Sequence, residues 1–395
     1  MLNVLGPNTV LGYCTNVHAG PTCDQMLKNL EEYALRVKAS LTPDAPMGVG
    51  LWLPSQAVDD MLSDDRVEQV GNWLNEVGLY PFTINGFPHG DFHQPVVKHR
   101  VYHPTWADTD RLDYTTKLAN ILATWLPRDS TGSISTLPLG WQTDIDQPGM
   151  LDQCVTNLLT LVDHLERIES ETGRLIHVDI EPEPGCYLDT CQDMITFFVD
   201  RLFPKSNPDR VSRYLRICHD ICHTVVMFED QRETLVRYRE NGVKVGKVQV
   251  SSAPVVRFDK MSDSDREQAY TQLKEFGEDR YLHQTAVKSS SGDVKLYDDL
   301  PDAIADQGDC PPTDPWRVHF HVPLFLDRFG LIETSMSHVI ELIQATRTES
   351  DVLHFEAETY AWTVLPDELK PDNLADGIAR ELTWVRDRMS EGAKP

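Results

Sequence analysis

Residues 175–183 read Leu-Ile-His-Val-Asp-Ile-Glu-Pro-Glu. On a strand, side chains two apart share a face, so Ile176, Val178 and Ile180 form one face while His177, Asp179 and Glu181 form the other. One face packed by helices and one polar face turned inward is the pattern of a barrel strand. Residues 353–358 repeat it: Leu353, Phe355 and Ala357 alternate with His354, Glu356 and Glu358. Three further strand-like runs place polar groups on one face: Lys247, Gln249 and Ser251; Arg216, Cys218 and Asp220; and Cys14, Asn16 and His18.

Short apolar or β-branched segments recur near 10–18, 48–54, 81–87, 133–139, 175–183, 214–221, 244–252 and 351–359. Segments of helical periodicity follow most of them, at 22–39, 58–77, 111–125, 151–171, 189–202, 335–346 and 372–389. Strand followed by helix, repeated, predicts an α/β fold of the (β/α)8 TIM-barrel type. Such barrels commonly use roughly 250 residues or more in one domain, so 1–395 reads as a single TIM-barrel domain. Residues 253–333, between the seventh and eighth strands, are too long for a plain connection. They read as an insertion containing a helix near 262–276, strand-like pieces at 280–287 and 317–325, and a polar stretch at 288–312. Leaving the C-terminal end of a strand, this insertion is expected to form a lid over the catalytic face.

Composition narrows the function. The 36 Lys and Arg against 62 Asp and Glu give a formal net charge of -26, which repels phosphate backbones and argues against nucleic-acid binding. No apolar stretch approaches the roughly 18 residues needed to span a bilayer, and residues 1–10 lack a signal-peptide pattern, so a cytoplasmic location is expected. Eight scattered cysteines without a CxxC pair read as reduced thiols. Cys218 and Cys222, beside His219 and His223, leave a thiolate zinc site open against simple packing. Nucleotide-loop and hydrolase-triad motifs are absent.

Buried polar groups need partners, a metal or a polar ligand. For His177, Asp179, Arg216 and His354, deep in their strands, a structural network competes with function. Glu181, Asp220, His223 and Glu358 lie at or just beyond strand ends, where barrel enzymes place their chemistry. Oxygen and nitrogen donors of this kind suit zinc, manganese or magnesium, with Glu183 and Glu356 as alternatives for their neighbours. A divalent metal flanked by two carboxylates suits isomerase or epimerase chemistry, with Glu181 and Glu358 as the catalytic pair, or hydrolysis of a phosphoester. The loop Asn85-Gly-Phe-Pro-His-Gly-Asp-Phe-His93 suits a sugar-like metabolite. Candidate substrate contacts are His18, Asn85, His93, Asp279, His283 and His321, with Arg280 and His319 nearby.

Five segments carry a resemblance: Tyr13-Cys-Thr-Asn-Val-His18, Asn85 to His93, Ser135-Thr-Leu-Pro-Leu-Gly140, Ile180-Glu-Pro-Glu-Pro-Gly185 and Glu358-Thr-Tyr-Ala-Trp362. Together they resemble the EboE metabolite traffic protein family, of the xylose-isomerase-like TIM-barrel superfamily, over nearly the whole chain. The resemblance implies a role in processing or moving a secondary-metabolite precursor. It also implies metal ligands at Glu181, Asp220, His223, Glu358 and, on the seventh strand, Gln249, where the superfamily usually presents His. Gln is a weaker neutral ligand, and His283 or His321 would substitute for it. Asp279 and His283 resemble a stretched form of the endonuclease IV Asp-Arg-His motif. Three functions follow: a metal-dependent sugar or polyol isomerase or epimerase, a non-catalytic metabolite-binding or transfer protein, and an endonuclease IV-like phosphoester hydrolase, which the acidic charge disfavours.

Overall fold

The computed structural model describes residues 8–363 and 365–391. Eight parallel strands form the core: β1 (Val10–Tyr13), β2 (Met47–Trp52), β3 (Leu79–Asn85), β4 (Thr131–Thr136), β5 (Leu175–Ile180), β6 (Leu215–Asp220), β7 (Val245–Val250) and β8 (His354–Ala357). They hydrogen-bond in sequence from β2 to β7, then to β8 and β1. A parallel bridge between Cys14 and Gly50 closes the ring. The chain is a (β/α)8 barrel, and each strand overlaps one of the eight apolar or β-branched runs, with β2, β3 and β4 beginning one or two residues before theirs.

The helices form because their apolar positions recur at helical spacing against the strands. Met150–Thr172 turns Val155, Leu158, Leu161, Val162, Leu165 and Ile168 inward. It stops at Gly173, whose φ of 72° is the left-handed cap that glycine adopts without strain. Helices that escape the sequence reading include, between β5 and β7, Pro208–Tyr214, Ile221–Val226 and Gln231–Glu240. The first two are about two turns long, and half of the last is charged, so periodicity carries little signal.

The deep interior is polar and internally paired. Lys247 Nζ lies 2.5 Å from Glu356 Oε2, both side chains fully buried. A Cβ added to Gly50 would fall 1.3 Å from Glu356 Oε1, so the bare backbone of β2 makes room for that carboxylate. His177 Nδ1 pairs with Asp179 Oδ1 at 2.6 Å. His354 Nδ1 meets Ser133 Oγ at 2.8 Å, and Ser133 donates to Thr83 at 2.7 Å. These residues pair with one another below the mouth, though Asp179 Oδ2 and Glu356 Oε1 are left without a hydrogen-bond partner.

Between β7 and β8 the chain builds a second, six-stranded antiparallel sheet from Pro254–Val256, Thr285–Lys288, Val294–Tyr297, Trp316–Val318, Arg328–Phe329 and Ile332–Thr334. The expected helix appears as Asp263–Leu273 with a 3-10 turn to Phe276. The polar stretch 288–312 is more ordered than its composition suggests. It holds the return strand of a hairpin on an exposed sheet edge, then helix Leu300–Gln307, which Asp299 caps at its N-terminus. Residues 319–325, expected to be strand, leave the sheet: Val322 N–H donates to Ser252 O just past β7.

Candidate metal centre

Three strand ends deliver the carboxylates. Glu181 follows β5, Asp220 ends β6 and Glu358 follows β8. Their oxygens approach within 4.8 Å of one another, and all three residues are buried. Asp220 is fixed by its position: Oδ1 caps helix Ile221–Val226 by accepting from His223 N–H at 3.0 Å and also accepts from Ser251 Oγ at 2.7 Å. That leaves Asp220 Oδ2 buried without a hydrogen-bond partner. The same helical turn brings His223 to the site.

Glu358 is held by amides. Asn16 Nδ2 donates to its Oε1 at 2.7 Å and Asn85 Nδ2 at 3.1 Å. His93 Nε2 lies 2.6 Å from Asn16 O, so His93 bears on Glu358 through the Asn16 backbone.

The insertion supplies two more imidazoles. His321 Nδ1 meets Glu358 O at 2.7 Å, and its Nε2 points toward Asp220 Oδ2 at 3.8 Å, without a hydrogen-bond partner. His319 Nε2 lies 3.1 Å from His223 Nε2, while His223 Nδ1 meets Pro182 O at 2.8 Å. His319 Nδ1 meets Gln284 Oε1 at 2.6 Å. The Gln284 amide is oriented because its nitrogen donates to Tyr102 Oη, Glu183 Oε1 and Pro184 O.

Burial and like charge dominate the electrostatics. Burial, then the charges of Glu358 and Asp220, holds Glu181 well above the usual carboxylate range. Burial, then Asp220 and Glu356, pushes Glu358 up to about 8. Burial would also raise Asp220, but the imidazoles of His223 and His321, the His223 N–H and Ser251 outweigh it and hold that carboxyl low. Such divergence among adjacent carboxyls marks groups suited to moving protons. Alternatively, a cation relieves the repulsion. The orphaned Asp220 Oδ2 and His321 Nε2, with the converging carboxylates, fit a divalent metal.

Glu181, Glu358, His319 and His321 line a pocket with Asn16, Asn85, Glu183 and His223, walled by Phe87, Phe92, Tyr102, Tyr281, Leu282 and Tyr360, and Asp220 lies outside this lining. Of the sequence candidates, the structure brings together Glu181, Asp220, His223, Glu358, Asn85 and His321. Gln249 is buried beside Asp220 and Glu356 in register, but it does not line the cavity and both its amide atoms lack partners. His283 is turned away: its Nε2 meets Glu278 Oε1 at 2.9 Å and its Nδ1 meets His319 O at 3.1 Å. Asp279 is exposed outside the cavity. His18 packs against Tyr33 and contacts Tyr13 Oη beside a smaller pocket. Glu356 is paired with Lys247. Cys222, but not Cys218, approaches His319 and His321, and burial keeps its thiol well above the usual range. Gln284 gave no signal in the sequence reading, since its role depends on a contact with His319, 35 residues away.

Among the described residues, no helix is long and apolar enough to cross a membrane. No family model matches the chain, and no curated protein matches it. Several solved structures match at low identity. One is a xylose isomerase-like TIM barrel/4-hydroxyphenylpyruvate dioxygenase fusion protein, 12% identical, covering 97% of this chain and 43% of that one, with a TM-score of 0.47. Another is the IOLI protein with a binding zinc atom, 11% identical over 97% of this chain and 98% of that one, with a TM-score of 0.45. A third is a xylose isomerase domain protein from Alicyclobacillus acidocaldarius, 11% identical over 97% and 98%, with a TM-score of 0.44. Sugar phosphate isomerase/epimerase proteins are among the other matches. A glycoside hydrolase family 18 N-acetylglucosaminidase from Paenibacillus barengoltzii also matches, 10% identical over 95% of this chain and 100% of that one, with a TM-score of 0.39.

Proposed function

We propose that this chain is a metal-dependent isomerase or epimerase acting on a sugar-like or polyol metabolite, with Glu181 and Glu358 as the acid–base pair. The observation that carries this reading is the meeting of Glu181, Asp220 and Glu358 at one buried point of the barrel mouth. A divalent ion held by Asp220 with Glu181 and Glu358, with His223 beside it, would polarise a carbonyl or hydroxyl as a Lewis acid. Gln249 is left out of this ligand set.

The protein groups then divide the work. Asn16 and Asn85 fix Glu358 Oε1, so its carboxylate faces the cavity in one orientation. Glu181 stands across from it. One carboxylate takes a proton from a substrate carbon or hydroxyl, and the other, kept protonated by its surroundings, returns one. The walls of Phe87, Phe92, Tyr281 and Tyr360 exclude water from the transfer. Residues 253–333 act as a lid within a single-domain barrel, and the resemblance to EboE supports a cytoplasmic role in secondary-metabolite precursor processing or traffic.

The test is solvent-deuterium incorporation. The purified protein, supplied with manganese, magnesium or zinc, is incubated in deuterated water with a panel of aldoses, ketoses and polyol-derived ketones. Mass spectrometry is expected to show one deuterium at the carbon beside the carbonyl, lost in Glu181→Gln and Glu358→Gln. No incorporation with any metal or substrate would refute catalysis of this type. The aromatic walls favour a second reading, binding and transfer of a metabolite without turnover, and tight binding without deuterium incorporation would select it.

A further inference from the structure

We propose that the metabolite taken at the barrel mouth is an unphosphorylated sugar or polyol that carries an apolar substituent. Its hydroxylated end lies against the strand ends and the substituent among the segments beyond them. This rests on the reading of the mouth as the site of a sugar-like or polyol metabolite, and it names the class. The lining of the pocket divides by origin. Asn16, Asn85, Glu181, Glu183, His223 and Glu358 stand at or just past strand ends. Phe87, Pro88, Phe92, Val97 and Val101 come from the segment after β3, and Tyr281 and Leu282 from the insertion.

The polar half asks for a hydroxyl. Asn16 Nδ2 donates to Glu358 Oε1 at 2.7 Å, which fixes the amide so that Oδ1 is its acceptor. That Oδ1 is buried and has no hydrogen-bond partner. A buried acceptor left unpaired is costly, and a substrate hydroxyl donating to it removes the cost. The apolar half asks for something else. The rings of Phe92, Tyr281 and Tyr360 stand 4.8, 5.4 and 5.1 Å apart pairwise and make one aromatic wall. Tyr360 also lies 4.7 Å from the His321 ring, so this wall borders the polar half directly. A sugar can stack one face on an aromatic ring, but the side chains of Val97, Val101 and Leu282 give hydroxyls no partner. An alkyl or aryl group leaves water for such surface at a gain.

The same half is unsuited to a phosphate. Among the described residues that line the pocket, Lys98 is the one Lys or Arg, and its Nζ is paired with Asp299 Oδ2 at 2.5 Å. Nearby, the Arg100 guanidinium donates to Val96 O. Backbone N–H groups that could cradle an anion are already spent: Val97 and Lys98 donate to Arg280 O, Phe87 to Asn85 Oδ1 and Tyr281 to Glu278 Oε1. An ionised phosphate placed among Phe92, Val97 and Leu282 would lose its water without donors in return.

The test compares the 6-O-methyl, 6-O-benzyl and 6-phosphate derivatives of fructose and of tagatose, titrated calorimetrically into the full chain loaded with manganese. Within each set the carbonyl end is the same, and only the group offered to the apolar half changes. The benzyl ethers are expected to bind roughly 10–100-fold tighter than the methyl ethers, and the phosphates more weakly than the methyl ethers. This comparison on wild type requires no variant to fold. Phe92→Ala, shown to be folded by circular dichroism, is expected to lose most of the benzyl advantage. Equal affinity for benzyl and methyl ethers, tightest binding of the phosphates, binding of none of the derivatives, or a folded Phe92→Ala that keeps the whole advantage would each overturn the proposal. Benzyl preference without deuterium incorporation supports this ligand class while refuting the isomerase reading. Deuterium incorporation into phosphates that bind tightest does the reverse.

Discussion

Glu381 offers a quantitative test of how the final helix holds the mouth. Its carboxyl is fully buried on helix Leu374–Ser390, where Oε1 accepts from Thr359 Oγ1 at 2.7 Å and from Leu324 N–H at 3.0 Å. It therefore joins the segment after β8, the insertion and the last helix. Burial pushes it up to about 7, despite the lowering effect of those two hydrogen bonds. The folded value lies above the unfolded one, so its contribution to stability is fully present below about pH 4.5 and is lost as pH rises through about 7. A difference of about 2.5 units at ~1.36 kcal/mol each amounts to about 3 kcal/mol. Glu381→Gln keeps the accepting oxygen and cannot ionise, so it resembles the protonated acid at every pH. Urea unfolding of both proteins from about pH 5 to about pH 8 is expected to show wild type losing about 2.5 kcal/mol relative to the variant. A difference that stays flat across that range would refute the assignment of a protonated, buried Glu381.

Two further outcomes follow from the same contacts. Lys247→Met strands Glu356 in the barrel interior and is expected to cost ~3–5 kcal/mol in urea unfolding, with much of it recovered in Lys247→Met/Glu356→Gln; additive losses would contradict the pairing. Gly50→Ala drives a methyl into Glu356 Oε1, so a destabilisation of about 2 kcal/mol or more is expected, and an unchanged denaturation midpoint would show that the carboxylate sits elsewhere.

Much of the barrel was legible because alternation is a local property. The runs around Asp179 and Glu356 each announce an inner face within six residues, three more strands show a polar face, and the remaining three follow from short apolar or β-branched runs. Alternation assigns a face but not a layer: Gln249 and Glu356 lie on the inner side, yet Glu356 is spent on Lys247 and Gln249 lines no part of the pocket. Imidazole roles were harder still. His283 and His321 look alike in sequence, but Glu278 and the His319 carbonyl occupy the first, while the second opens onto an orphaned oxygen of Asp220, about one hundred residues earlier. No spacing rule encodes such a meeting. The hairpin and helix within 288–312 were hidden by polarity, since an exposed edge strand and a short capped helix need few apolar residues.

Anomalous diffraction from crystals soaked separately with manganese and zinc locates a divalent metal at the barrel mouth. The account expects a peak within ligand distance of Asp220 Oδ2, bounded by Glu181 and Glu358. Well-ordered density for all three side chains with no anomalous peak among them, at saturating metal, would contradict it.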